Sequence, residues 1–569
     1  MKNTDYSYRE KKFVIGIDYG TDSVRSLLAD AVTGEELAVS IFEYPRWKNG
    51  LYSDSSENRF RQHPLDYIEG LEYVVKDLLR QIPDAKDYLR SIALDTTGST
   101  PCLINEEGVP LALLDKYKKN PNAMFILWKD HTAMQEAQTI NRLCEEWNMD
   151  YRIYSGMNYS SEWLWAKALH VLNMDKELRH DAYSIVEHCD WIPALLTGVK
   201  KAKKIKRSRS SAGHKALWAK EWGGFPSQSF LSTLSPFFQG FAEQFEQETY
   251  TCDLPAGFLC DEWAKKLGLS TNVLIGIGNT DAHAGAVGAG VRYKTLVQNL
   301  GTSMCNMAVM PVEKVGDKLM DGISGQVKGS IIPGMFGFEA GMSAFGDVYA
   351  WFKKMLIEPI DDIICRSDII DVSIKEKLTC EIKERLLNQL TKKAEEIELK
   401  EDSPLAVEWL NGRRNPYINY RLKGIISGLS LSTDAAEIYR TLVEATAFGA
   451  KAIVDHLVKY GVEIEEIIGT GGISQKSPFV MQVLADVLCN PIHVSDSKQS
   501  CALGSVMFAA TIAGIYPNVE EAQKTIVKKT SKTYFPDIKK SEIYAKRYLQ
   551  YRKLSLFSEE QLTLPGKQG

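Results

Sequence analysis

The chain has no disulfide or zinc framework. Its ten cysteines are scattered, no C-x-x-C occurs, and among the looser spacings the closest pairs are Cys252 with Cys260 and Cys489 with Cys501. That pattern fits reduced thiols in a cytoplasm. There is no basic surplus either. Lys and Arg number 68 against 73 Asp and Glu, a net charge of −5, which argues against nucleic acid or a membrane surface as a partner. The longest apolar stretch, near Val506 to Tyr516, is too short to span a bilayer. Residues Met1–Glu10 lack the apolar core and cleavage pattern of a signal peptide. The first glycine turn, Asp18-Tyr-Gly-Thr-Asp-Ser23, carries no Gly-Lys-Ser/Thr and is not a Walker A loop, nor does it show a Rossmann G-x-G-x-x-G leading into a helix. A chain of 569 residues exceeds what one core supports. The expectation is a soluble, cytoplasmic protein of two domains.

Small residues are present in quantity, and in one place they surround a carboxylate. Asp281 lies among Gly276, Gly278, Ala282, Ala284 and Gly285, in a run that ends at Gly290. Such neighbours let backbone and ligand approach closely. Further on, Asn299-Leu-Gly-Thr-Ser303 offers a glycine turn with two hydroxyls, a shape suited to phosphate oxygens. A base beside a phosphate cradle is what phosphoryl transfer to an alcohol needs. Read alone, Asp281 is equally a helix cap.

The pattern along the chain is α/β. Lys12–Asp18, Ser23–Asp30 and Glu36–Glu43 read as three strands of an antiparallel meander. His63–Ile82 carries a helical stripe, and Ser91–Asp95 is a buried strand. In the second half, Thr295–Leu300 reads as a strand, Asp434–Tyr460 as a long helix and Glu465–Ile468 as a strand feeding Gly469-Thr-Gly-Gly472. Helices at about Ser477–Cys489 and Ala502–Gly514 follow. One glycine–threonine turn in each half suggests a duplicated nucleotide clamp. Residues 372–399, charged with a helical pattern, read as a solvent-facing insertion.

Asp18-Tyr-Gly-Thr, Asn299-Leu-Gly-Thr-Ser and Gly469-Thr-Gly-Gly resemble the two phosphate motifs and the adenosine motif of the sugar kinase, actin and heat-shock chaperone superfamily. Gly424–Ser430 with Tyr439–Gly449 resembles the C-terminal signature of the FGGY carbohydrate kinases. Blocks at Asp95–Pro101, Asn122–Thr132, Tyr159–Trp165, Ser211–Trp218 and Phe338–Gly346 look like those of the family's L-ribulose branch. The resemblance implies two ribonuclease-H-like (actin-like ATPase) α/β domains, with ATP and sugar in a cleft between them. The expected extents are 12–290 and 291–548, with 549–569 as a tail. The implied activity is ATP-dependent phosphorylation of L-ribulose in arabinose catabolism. Another ketopentose or a pentitol (D-ribulose, D-xylulose, ribitol) is the alternative.

On that resemblance Asp281 is the general base. Asp18, Gly20, Thr21 and Ser23 face the phosphates, with Asp18 holding Mg²⁺ through water, since Mg²⁺ keeps much of its hydration. Arg25 either neutralises phosphate or faces solvent. Gly301, Thr302 and Ser303 cradle the other side of the triphosphate, and Gly471 and Gly472 lie against adenine and ribose. Lys215, Glu339, Thr97, Gly98, Trp128 and Asp130 are the expected sugar contacts. Of Trp163 and Trp165, at least one belongs to the core. His131, His214 and His283 read as scaffold. Asn279 and Thr280 are polar where small or aromatic residues are expected, which puts the local packing in doubt. The basic run Lys200–Arg209, seven positive charges in ten residues, reads as a solvated loop, although attraction of nucleotide is a second reading. A homodimer is a family-level expectation. An actin-like filament, a chaperone or a repressor fits less well: the chain shows neither a separate chaperone substrate domain nor room before Lys12 for a DNA-reading helix pair.

Overall fold

The computed structural model describes residues 11–528 and 530–563, without the side chains of Ser531, Leu562 and Thr563. Met1–Glu10, where no signal peptide is expected, and residues 564–569 lie outside the described residues. In chain order the elements that frame the site are β1 (Phe13–Tyr19), β2 (Ser23–Asp30), β3 (Glu35–Glu43), α1 (Pro64–Gln81), β4 (Leu89–Thr96), α2 (Leu164–Met174) and α3 (Arg209–Lys215). Next come β5 (Pro255–Phe258), β6 (Leu274–Gly276), α4 (Asp281–Gly288), β7 (Thr295–Leu300), β8 (Met304–Pro311), β9 (Met335–Met342), α5 (Gly346–Arg366) and α6 (Val372–Glu396). The remainder are α7 (Ala435–Lys459), β10 (Glu466–Thr470), α8 (Pro478–Leu488), β11 (Ile492–Ser495), α9 (Ser500–Ile512), β12 (Thr530–Tyr534) and α10 (Ile538–Thr563).

The chain forms two compact units. The first takes residues 1–293, 307–338 and 497–529, the second 294–306, 339–496 and 530–569. The chain changes unit at 293/294, and the first unit also takes back two later segments.

In the first unit the sheet order is β5-β6-β4-β1-β2-β3. The meander β1–β2–β3 is antiparallel, whereas β4 is parallel to both β1 and β6. Every residue of β1 is buried, as suits a central strand covered on both faces. Its alternate residues Phe13, Ile15 and Ile17 join Leu71, Val74, Val75 and Leu78 of α1 in one core. Each such fully buried aliphatic chain contributes about 1.5–3 kcal/mol. α1 starts sharply because His63 accepts the Leu65 N–H at 3.1 Å and Pro64 occupies the first turn.

The opposite side of β1 meets α9. A Cβ on Gly16 would lie 2.0 Å from the Ala502 carbonyl oxygen, so only glycine lets this helix settle on the strand. α9 also crosses α4 backbone to backbone. A Cβ on Gly504 would fall 1.9 Å from the Ala284 oxygen, and one on Gly288 1.9 Å from the Ser500 oxygen.

In the second unit β7, β10 and β11 are parallel and β12 closes the edge antiparallel. β8 and β9 follow β7 in the sheet order, and each runs across a change of unit, at 306/307 and 338/339. α6 buries only Leu390 and Ala394, in keeping with the solvent-facing reading of residues 372–399. α10 runs on through 549–563, the stretch expected as a tail. Its wholly buried Arg547 donates to Glu444 at 2.6 Å and to the carbonyls of Ser403 and Pro404 at 2.9 and 2.8 Å. Among the described residues no helix is long and apolar enough to cross a membrane.

The basic run is not one solvated loop. Lys200, Lys201, Lys203 and Lys204 are exposed, but Arg207 is buried, 3.5 Å from Asp190 and donating to the Ile185 carbonyl at 3.0 Å. Arg209 binds Thr249. The charge pattern alone hides this, because the last residues of the run enter β-bridging and α3.

Candidate active site

The site in the first unit is built on one row of the sheet. Asp18 at the end of β1 pairs in register with Asp95 at the end of β4, and Asn279 pairs with Asp95 from the other side. Asp281 follows two residues later as the first residue of α4. Three parallel neighbours thus end at the same level; β1 and β4 release their chains into turns there, and Asn279–Thr280 leads directly into α4. Carboxylates on adjacent strand ends in this way face a common space.

Asp18 and Asp95 are buried side by side. Burial pushes both carboxyls up, Asp95 the more strongly because Asp18 and Asp281 add negative charge, while Arg25 opposes the rise at Asp18. Arg25 donates to Asp18 at 3.2 Å. It is therefore paired, and solvent reaches the outer part of its side chain. Ser505 of α9 donates to Asp95 at 2.6 Å. The thiol of Cys501 and one oxygen from each of Asp18 and Asp95 lie within 4.8 Å of one another. Two buried carboxylates in contact need a shared proton or a cation between them, so this pair fits a divalent metal. The Cys501 thiol is itself pushed well up by burial and by the three carboxylates.

Asp281 accepts the Ala282 N–H at 2.7 Å and is half-buried. The cap reading is thus met in part, although Thr280 holds the N-cap position. Thr280 Oγ1 lies 2.9 Å from Ser210 Oγ, which lies 2.7 Å from His283 Nδ1, whereas the buried side-chain nitrogen of Asn279 has no hydrogen-bond partner among the described residues. His283 and His214, which contacts Ser330 at 3.0 Å, are buried, hydrogen-bonded scaffold residues. His131 sits 3.5 Å from Ser161.

In the first turn Gly20 N–H closes onto the Ser23 carbonyl at 3.0 Å, leaving Thr21 at its tip with Ser23 buried behind. Trp128 donates from its indole N–H to Thr21 Oγ1 at 3.1 Å, joining an expected sugar contact to an expected phosphate contact. Thr97 is tied by its N–H to the Tyr19 carbonyl at 3.1 Å and by its hydroxyl to Thr100 at 2.9 Å. Gly98 abuts Thr280, where a Cβ would come within 2.6 Å. Lys215, the last residue of α3, is buried with its ammonium 5.3 Å from the Trp163 ring centre. Trp163 and Trp165 are both buried in one core cluster, Trp163 beneath Lys215 and Trp165 donating to the Ala216 carbonyl.

Asp130 departs from its expected part. Its two oxygens accept from Phe60 N–H, Arg61, Thr132 N–H and the Thr132 hydroxyl. A carboxylate offers about four acceptor positions, and four donors fill them. Asp130 holds the Trp128 loop through these four contacts.

In the second unit Glu339 stands half-buried on β9. Gly301, Thr302 and Ser303 form the turn between β7 and β8. Phe345 and Asp347 donate to the Thr302 carbonyl at 2.7 and 3.1 Å and fix its shape. Gly471 has φ of +87°, and a Cβ there would lie 2.6 Å from the Leu300 oxygen, so its freedom serves the protein's own backbone. Gly472, by contrast, borders open space. It is the better candidate for a ligand lying against the chain.

Asp95 escaped the sequence reading, although a signal existed. Like β1, its strand is an apolar run ending in an aspartate before a glycine turn.

Fold and site together define a carbohydrate kinase, and the chain belongs to the FGGY family of carbohydrate kinases, whose C-terminal domain model matches residues 296–513. Its curated relatives narrow the class. A ribulokinase of Vibrio parahaemolyticus is 44% identical over 97% of this chain and 96% of its own length. A ribulokinase of Halalkalibacterium halodurans is 35% identical over 95% of this chain and 94% of its own. In fold the chain is similar to a xylulose kinase of Rhodospirillum rubrum, with a TM-score of 0.76, 19% identity and coverage of 97% and 100% of the two chains. It is also similar to a glycerol kinase of Plasmodium falciparum solved with ADP, with a TM-score of 0.73, 16% identity and coverage of 96% and 98%. These likenesses agree with the expected pair of actin-like α/β domains.

Proposed function

We propose that the chain transfers the γ-phosphoryl group of ATP to the terminal hydroxyl of L-ribulose, yielding L-ribulose 5-phosphate and ADP in arabinose catabolism. The observation that carries this reading is the 44% identity to a ribulokinase over nearly the whole chain. Asp281 accepts the hydroxyl proton as the sugar oxygen bonds to γ-phosphorus and the bond to the β-phosphate bridge breaks. The Ala282 N–H orients its carboxylate, and negative charge is favourable at a helix first turn. Thr21, Ser23 and the Gly301–Ser303 turn bind the phosphates, and Gly472 lies beside the nucleoside. Lys215, Trp128, Thr97, Gly98 and Glu339 orient the sugar. At the Asp18–Asp95 pair Mg²⁺ supplies, when bound, neutralisation of phosphate charge. The ten cysteines, none of them bridged, suit a reducing cytoplasm.

The test is ATP-dependent phosphorylation of L-ribulose, D-ribulose, D-xylulose, ribitol and glycerol by the purified protein, with Asp281→Asn as control. Preference for L-ribulose, lost in the variant, is the expected outcome. Preference for another sugar would keep the mechanism and overturn the substrate.

A further inference from the structure

A buried ammonium in α2 touches both loops assigned to the sugar. Lys167 is 1% exposed, and its Nζ lies 2.8 Å from the Ser99 carbonyl oxygen, 2.7 Å from that of Leu127 and 3.4 Å from that of Ile126. An ammonium has three donors, and all three point at backbone. Ser99 follows Thr97 and Gly98, while Leu127 precedes Trp128. The Thr97–Thr100 loop is also gripped from its other side, because Glu187 accepts from the Ser99 hydroxyl and from the Thr100 N–H at 2.8 Å. The charges around Lys167 are Asp130, Glu187, Glu162 and Arg61. Burial lowers the pKa of Lys167 and raises that of Glu187.

A buried ion pair is a poor means of stabilising a fold, since well-packed apolar residues of similar volume often do as well or better. The three contacts of Lys167 go instead to the backbone of the two loops.

We propose that Lys167, backed by Glu187, is a positioning residue for sugar recognition, fixing the Thr97–Thr100 loop and the Leu127–Trp128 segment at one spacing. This rests on the sugar-kinase reading above. A loosened spacing misplaces Thr97, Gly98 and Trp128 together; Lys167 makes none of the described hydrogen bonds to the phosphate turns, which feel the shift less, through the Trp128–Thr21 hydrogen bond.

The test compares wild type with Lys167→Met on the intact protein. It uses L-ribulose, or whichever sugar wild type prefers, in calorimetric binding and in steady-state kinetics, with melting followed alongside. A shift of a loop by ~1 Å costs about tenfold to a hundredfold. The expected result is a rise of that size in sugar Kd and KM, a clearly smaller change in ATP KM, and a melting temperature that is lowered, because three buried carbonyls lose their donor, but still shows a cooperatively folded variant. In wild type the sugar KM should also climb as pH rises above neutrality and Lys167 loses its proton, a dependence absent from the variant. Unchanged sugar affinity in folded Lys167→Met, or equal rises in both KM values, would overturn the proposal. If that variant does not fold, Ser99→Ala and Glu187→Gln loosen the same loop from its other side, and an unchanged sugar KM in both would be decisive against it. A wild type that turns over no sugar would instead defeat the kinase reading itself.

Discussion

At the scale of single residues, the proposed chemistry rests on three carboxylates that differ in what holds them. Asp281 stands at a helix start among small residues, while Asp18 and Asp95 are buried against each other. Asp281→Asn should leave the sugar KM nearly unchanged and lower kcat about 10²- to 10⁴-fold, the usual share of a general base. Steady-state kinetics in both substrates checks this. Asp95→Asn should raise the Mg²⁺ concentration for half-maximal activity about tenfold or more, read by titrating the metal at saturating ATP. What the sequence made legible at Asp281 was its place among Gly and Ala at a helix start; its role as base came from the family resemblance. Asp95 shares with Asp18 the pattern of an apolar strand ending in an aspartate before a glycine turn, but that pattern does not say the two are neighbours; the strand register does. A W-x-D spacing likewise cannot reveal that Arg61, from an earlier strand, pairs with the Asp130 carboxylate.

At the scale of elements, glycine decides which helices lie against the site. Gly504→Ala would drive a Cβ into the Ala284 carbonyl at 1.9 Å, and α4, which starts at Asp281, would have to move. Overpacking of this kind costs about 1–3 kcal/mol, so a lowered urea midpoint with a reduced kcat is expected. In the second unit Glu408 is buried beneath α7 and α10, accepts from the Tyr551 hydroxyl at 2.8 Å, and is pushed up to about 7 by burial. A carboxyl whose folded value is raised lends its stability at low pH. That stability is lost as pH climbs from the unfolded value of ~4.3 to about 7. Glu408→Gln should therefore flatten the fall in stability between pH 5 and pH 8, which denaturant melts at the two pH values would register. Most elements could be read from apolar periodicity, including α1, the β1–β3 meander and α7. α10 could not, because its apolar residues are spread around a charged helix and its anchor is a buried arginine.

At the scale of the whole molecule, the first unit is discontinuous in sequence. α9 belongs to it although nearly 500 residues precede that helix. A polypeptide ending at residue 496 would retain β1 and β4 with the Gly16 side uncovered. It is expected to lose cooperative unfolding of the first unit, followed by tryptophan fluorescence in urea. The same feature sets a timetable for biosynthesis. At ~5–20 residues per second a ribosome needs roughly 25–100 seconds to deliver α9 after the chain begins. Throughout that interval one face of the nascent sheet, Gly16 included, waits for its cover. An expression host must shield that surface in the meantime, so slow elongation or scarce chaperones should show first as loss of this unit's yield.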